Sequence, residues 1–180
     1  MTSETIIDRR TVYAGRVVTL HLERVQLPGV VEPFTREIIA HRPAVAIVAR
    51  DDDGQVFLVR QYRAGAHATI LEVPAGVLED GEDLLIGAQR ELQEEIGYRA
   101  EHWERLGSIY TSPGFLTEVI HLLLATGLSP ARLPGDIDED IAVERVPLAE
   151  ALARVNAQDI QDAKTVIALM RAVQATGNRK

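Results

Sequence analysis

Apolar and polar positions divide the chain into short strands with a few helices between and after them. Val17 to Gln26 (VVTLHLERVQ) alternates for most of its length, the period-two signature of a half-buried strand. Pro28-Gly29 marks a turn, and Thr35 to His41 (TREIIAH) is the predicted return strand. Two uncovered strands are too short for a core of their own, so residues 1–42 are expected to form an antiparallel β arm that packs onto something else. Ala44 to Ala49 (AVAIVA) is apolar throughout, which predicts a strand buried on both faces. Asp53-Gly54 signals a tight hairpin turn into Gln55 to Arg63, and Ile70 to Val73 is a short strand running into Pro74-Ala75-Gly76. Further strands are predicted at Trp103 to Tyr110, Val119 to Ala125 and Ile141 to Val146. Gly127 to Asp140, rich in Pro, Gly and Asp, reads as a long loop. Two helices follow, Pro147 to Val155 and Asp162 to Ala175, the second with Val166, Ile167, Met170 and Val173 on its predicted apolar stripe. The pattern belongs to the α+β class or to an α/β/α sandwich, with residues 43–180 as the main domain.

The stretch from Gly76 to Tyr98 carries the candidate chemistry. Leu85, Ala88, Leu92 and Ile96 recur three or four apart and predict one apolar helix face. Asp80, followed three residues later by Asp83, can cap its start, and Gly97 can close its end in a left-handed turn. At 3.6 residues per turn Glu91 and Glu95 stack one turn apart, as do Arg90 and Glu94. Stacked like charges cost a few tenths of a kcal/mol each, roughly 0.2–0.5, on a bare helix surface. A divalent cation removes that cost. Mg²⁺ takes hard oxygen ligands, keeps several waters and bridges carboxylates to substrate phosphates. Asp51-Asp52-Asp53 also invites a metal reading, but turn chemistry accounts for it.

Composition narrows the partners. The formal charge is −8 with no basic block, which argues against nucleic acid. An acidic protein acting on a phosphorylated substrate needs a cation to offset repulsion. No cysteine is present, so disulfides and thiolate metal sites are excluded. The start, MTSETIIDRR, lacks the apolar stretch of a signal peptide, and no run approaches a membrane span. A cytoplasmic protein is expected, with no membrane or nucleic-acid partner.

The full spacing is more specific than any of these features. Gly76 is followed by five residues and Glu82, then seven residues and Arg90-Glu91-Leu92, then Glu94-Glu95 and Gly97-Tyr98. This resembles the Nudix box at every defining position. Beyond the box, QYR at Gln61 to Arg63, LEVPAG at Leu71 to Gly76, DAKTVIAL at Asp162 to Leu169 and Pro113, sixteen residues past Gly97, resemble the ADP-ribose pyrophosphatases among the Nudix hydrolases. The resemblance implies a Nudix-type α/β/α sandwich with a mixed sheet over 43–180. It implies an N-terminal arm over 1–42 serving dimerisation and substrate contact, hence a homodimer. It also implies Mg²⁺-dependent hydrolysis, with Mn²⁺ as a substitute, of ADP-ribose to AMP and ribose 5-phosphate. Two other outcomes are kept: another nucleoside diphosphate sugar or dinucleotide as substrate, and an ADP-ribose-binding module without catalysis. The module is disfavoured because every box carboxylate is retained.

Residue roles follow from the resemblance. Glu91, Glu95 and the Ala75 carbonyl are expected to hold metal. Glu94 either binds metal or orders a metal-bound water. Glu82 and Arg90 are expected to form an ion pair that fixes the loop to the helix. Arg63 matches a pyrophosphate-holding arginine, Arg36 and Glu37 a pair near the adenine or its phosphate, and Ser112 and Glu118 contacts to the second half of the substrate. Glu139, in the acidic loop Gly135 to Asp140, is expected to be the base or a further metal ligand, with Asp136, Asp138 or a box glutamate as alternative bases. Tyr13-Ala14-Gly15 is followed by Arg16-Val17 where some relatives carry an aromatic that stacks on adenine.

Overall fold

The computed structural model describes residues 4–135 and 140–177. The chain forms two compact units, Met1–Arg42 with Tyr110–Val119, and Pro43–Ile109 with Ile120–Lys180.

The first unit is built on a three-stranded antiparallel sheet of β1 (Thr5–Ala14), β2 (Thr19–Gln26) and β3 (Phe34–Ala40), in that order. The strands predicted at 17–26 and 35–41 correspond to β2 and β3. The hydrophobic pattern does not predict β1, and the reason is physical. All ten of its residues are exposed, and its pairing with β2 shifts register between Ile6 and Asp8 and again between Thr11 and Tyr13. A strand with no buried face writes no alternation into its sequence, and each bulge reverses whatever alternation there is. Gly29, at φ +79°, makes the turn between β2 and β3.

The second unit is a layered α+β fold with a mixed sheet. Its elements are β4 (Ala44–Ala49), β5 (Gln55–Arg63), β6 (Ala68–Glu72), β7 (Ala75–Val77), α1 (Leu84–Glu95), β8 (Tyr98–Tyr110), β9 (Val119–Pro130), β10 (Ile141–Pro147), α2 (Leu148–Asn156) and α3 (Ala163–Gly177). One sheet runs β7-β4-β9-β8, with β4 parallel to β9 and antiparallel to β7. The other runs β10-β5-β6 and is antiparallel. Strand alternation splits the core in two. Ala44, Ala46 and Val48 face a cluster with Leu122, Ala168, Leu169 and Ala172, whereas Val45, Ile47 and Ala49 face one with Ala88, Leu92, Ile96 and Leu123. Thus α1 covers one face, and α2 and α3 the other. The continuous apolar run of β4 is buried at every position, as a strand between two helical layers must be. β9 runs on to Pro130, so the predicted loop from 127 begins inside a strand, and β7 forms where the sequence suggests a loop.

Two predicted helix faces are corrected. On α1, Leu85 is 36% exposed and Leu84 takes its place against the core. On α3 the buried side is Thr165, Ala168, Leu169 and Ala172; of the expected stripe Val166 and Ile167 pack against the core, whereas Met170 is 53% and Val173 36% exposed. Alanine and threonine score weakly in a hydrophobic count. Their small side chains nevertheless let a helix approach a strand closely, so packing selected them over the bulkier neighbours. Of the two aspartates, Asp83 is the cap used: its Oδ1 accepts from the N–H of Leu85 at 2.9 Å and of Ile86 at 3.3 Å. Asp83→Ala should cost about 1 kcal/mol. That should lower the melting temperature by about 2–4 °C in a thermal scan.

Among the described residues no helix is long and apolar enough to cross a membrane. The Asp51–Gly54 turn is closed as predicted: Asp51 Oδ1 accepts from the N–H of Asp53 and of Gln55, and Gly54 sits at φ +77°.

Candidate active site

The site is assembled where β7, an edge strand, meets α1. β7 pairs with β4 on one side, and α1 returns across the same sheet after the Leu78–Asp83 loop. The approach is so close that a Cβ built on Gly76 would stand 1.9 Å from the Glu91 carboxyl carbon and 2.1–2.2 Å from its oxygens. Gly76 thus leaves the Glu91 carboxylate its place by lacking a side chain, and not through positive φ, which its backbone does not adopt. Gly87 meets the same demand a turn before Glu91, with Leu78 and the Glu82 carboxylate where its Cβ would be.

Arg90 organises the acidic turn. Its Nε donates to Glu82 Oε1 and its Nη2 to Glu82 Oε2, both at 3.0 Å, a bidentate grip that ties the loop to the helix as expected. Nη2 also reaches the Val77 carbonyl at 3.3 Å. Nη1 donates to Glu91 Oε1 at 2.7 Å and to Glu94 Oε2 at 3.0 Å. The hydrogen bonds to Glu82, and then the charge of Glu91, hold the guanidinium above its ordinary pKa, so it stays charged at any working pH. Three carboxylates thus share one cation.

Glu95 is only 2% exposed, and its Oε2 accepts the Ala75 N–H at 3.0 Å. In an extended strand a residue's N–H and C=O lie on the same edge. The Ala75 N–H is turned from β4 toward Glu95, so the Ala75 carbonyl lies on that edge too. Glu95 thus meets the Ala75 edge of β7, and the Glu91 carboxylate lies against the adjoining Gly76. Among the described residues no group of three or more Asp, Glu, His or Cys side chains is arranged to hold a metal. Two carboxylates and one carbonyl make an open oxygen set, which suits an ion that retains waters rather than one needing a closed cage.

A second polar cluster lies just upstream, at the end of β6. Glu72 is 1% exposed. It accepts from Arg63 Nη2 at 2.6 Å and Nε at 3.1 Å, and lies 3.1 Å from Lys164 Nζ. Neither Glu72 nor Lys164 is among the residues expected from the sequence to have a role, although both lie in stretches that carry the resemblance. The available signal is a carboxylate inside the apolar strand ILEV.

Arg36, Glu37, Ser112 and Glu118 belong to the first unit. Arg36 and Glu37 are exposed on β3, and Arg36 is hydrogen-bonded to Glu4. The Ser112 carbonyl accepts from the N–H of Phe115 and of Leu116 in a turn, and Glu118 lies 3.3 Å from His41 Nδ1. Glu139, Asp136 and Asp138 lie outside the described residues. A recess of about 980 Å³ beside the Asp51–Gly54 turn contains none of the box carboxylates.

Known proteins resemble the chain in sequence and in fold. The chain is 40% identical to an ADP-ribose pyrophosphatase of Bacillus subtilis over 92% of its length and 90% of that protein. It is 43% identical to a methanol dehydrogenase activator of Bacillus methanolicus, again over 92% and 90%. A crystal structure of an ADP compounds hydrolase superposes with a TM-score of 0.88 at 27% identity, covering 98% of this chain and 95% of that one. The NUDIX domain family model matches residues 40–169, a span that holds Gly76 and every box carboxylate, and the chain belongs to that family.

Proposed function

We propose that the protein hydrolyses the pyrophosphate bond of ADP-ribose, giving AMP and ribose 5-phosphate, with Mg²⁺ as cofactor and Mn²⁺ as a substitute. The observation that carries this reading is that two carboxylates of one helix turn meet adjoining residues of β7, Glu95 on the Ala75 N–H and Glu91 against Gly76, where a Cβ would overlap it. The names of its relatives, an ADP-ribose pyrophosphatase and an ADP compounds hydrolase, support the substrate class.

Glu91, Glu95 and the Ala75 carbonyl would hold the cation, joined by Glu139. Bound there, Mg²⁺ acidifies the attacking water and offsets charge on the phosphoryl oxygens. The chain's own groups do the rest. Arg90 holds Glu91 and Glu94 in place, and the Ala75 N–H fixes one oxygen of Glu95. Arg63 grips the pyrophosphate with a guanidinium fork. Glu139 or Glu94 takes the proton as water adds to phosphorus and the bridging P–O bond breaks. Arg36, Glu37, Ser112 and Glu118 bind the remaining parts of the substrate.

Incubation with ADP-ribose and Mg²⁺, followed by chromatography of the products, tests the reading. AMP with ribose 5-phosphate is the expected result. Cleavage of other nucleoside diphosphate sugars or dinucleotides in preference would move the substrate, and binding without cleavage would identify a non-catalytic module. Arg90→Met probes the charge balance. Without metal it should destabilise the fold by about 2–3 kcal/mol, because three carboxylates lose a shared donor. Saturating Mg²⁺ should restore more stability to this variant than it adds to the wild type, as read from denaturant midpoints.

Residues 1–42 would also serve as an arm that pairs two subunits. β1 exposes Ile6, Ile7, Val12 and Tyr13 at 43–59%. An apolar surface of that kind favours a covering partner. Light scattering on a gel-filtration column should give twice the 19.8 kDa chain mass. A nucleoside diphosphate substrate is in keeping with action in the cytoplasm.

A further inference from the structure

Glu72 and Glu95 are among the few buried charged side chains, at 1% and 2% exposure, and only Glu95 has been given a task. A carboxylate is not left in an apolar strand without strong partners. Here it has two cations from different elements. Arg63, at the end of β5, presents Nε and Nη2 to it, and Lys164, in the first turn of α3, reaches it from the helical layer. The two ends of the Arg63 pair differ in environment. The Glu72 side chain is 2% exposed and the Arg63 side chain 35%. Glu72 is therefore the buried anchor of a partly exposed arginine side chain.

The same turn of α3 secures the neighbouring backbone. Asp162 Oδ2 accepts from Thr165 N–H at 3.0 Å and from its hydroxyl at 2.6 Å, and lies 3.0 Å from Lys164 Nζ. Thr165, fully buried, uses its hydroxyl oxygen to accept the Val73 N–H at 2.9 Å. Residues 72 and 73 are thus both pinned from α3, immediately before the Pro74-Ala75 step that leads to Glu95.

We propose that Glu72 is a positioning residue for the pyrophosphatase reaction: clamped by Lys164, it fixes the orientation of the Arg63 guanidinium that grips the substrate's diphosphate. This rests on the function proposed above and adds a specific device to it. An arginine side chain has large rotamer freedom, and each hydrogen bond it makes to a substrate must otherwise overcome that entropy. With one edge held by a buried carboxylate the guanidinium is pre-set, so its remaining interactions are made at lower cost.

A double-mutant cycle on the full chain separates positioning from mere support of the fold. Glu72→Gln, nearly isosteric, should lower kcat/KM for ADP-ribose by roughly tenfold to a hundredfold, as does removal of the outer partner of a site group elsewhere. In an Arg63→Ala background the same change should alter kcat/KM by no more than about twofold, because the group it acts through is gone. Equal losses in both backgrounds would overturn the proposal, as would wild-type kcat/KM in Glu72→Gln. If Glu72→Gln does not fold, Glu72→Asp keeps the charge but withdraws it by one methylene. It should show the same loss in the wild-type background alone, and undiminished kcat/KM would again overturn the proposal. A wild-type protein that fails to cleave ADP-ribose would instead remove the proposed function itself, an outcome distinct from either result of the cycle.

Discussion

Glu95→Gln should reduce hydrolysis of ADP-ribose by on the order of 10³-fold at saturating Mg²⁺, with little change in the fold. The substitution is chosen because it isolates charge. Glu95 is buried and its Oε2 accepts the Ala75 N–H, a task the amide oxygen of glutamine can take over. The link between α1 and β7 should therefore survive. What is lost is one anionic ligand and with it part of the electrostatic stabilisation, a contribution worth several kcal/mol, about 4 for a thousandfold change. Initial rates across a Mg²⁺ titration, with a melting curve alongside, are the measurement. Full turnover at saturating Mg²⁺ would show that the buried carboxylate does not serve the cation.

Gly76→Ala should be nearly as damaging to activity, by about a hundredfold, and for a different reason. The added methyl group would overlap the Glu91 carboxylate, which stands 1.9 Å from the new atom's position. The carboxylate is the far end of a flexible side chain, so the fold can yield by turning it away, at a cost of about 1 kcal/mol. A displaced ligand is another matter, because small misplacements of a reacting group lose about two orders of magnitude in rate. A variant with a near-normal melting temperature, a raised Mg²⁺ requirement and low turnover is the expected combination. Unimpaired turnover would mean that Glu91 does not work from the position seen here, and that β7 and α1 need not approach so closely.

Local and non-local features are unequally visible in the chain. The strand at Ala44–Ala49 appears at its predicted limits because burial on both faces demands an unbroken apolar run. Periodicity places the first turn of α1 with one leucine wrong and half of the α3 stripe on the exposed side, since near a helix end two stripes fit the same residues and small core residues carry little hydrophobic signal. β1 leaves no trace, because an exposed, bulged strand satisfies only its backbone hydrogen bonds. In the site, the Arg90–Glu82 pair and the i,i+4 pairing of Arg90 with Glu94 are legible in the sequence, whereas the contact of Arg90 with its chain neighbour Glu91 is not. Rotamer choice in a crowded turn decides which of several acids a guanidinium serves.

By itself the sequence determined the acidic helix and its family. Residues one turn apart face the same way wherever that helix is placed, so Arg90, Glu91, Glu94 and Glu95 carry their geometry with them. Only the tertiary structure decided what those groups meet. Ala75 and Glu95 are 20 residues apart, and Val73 and Thr165 are 92 apart. Such contacts exist because sheet register and helix packing bring distant backbone together at ångström precision. No local pattern encodes that closeness, and so the role proposed for Glu72 had to be found in space.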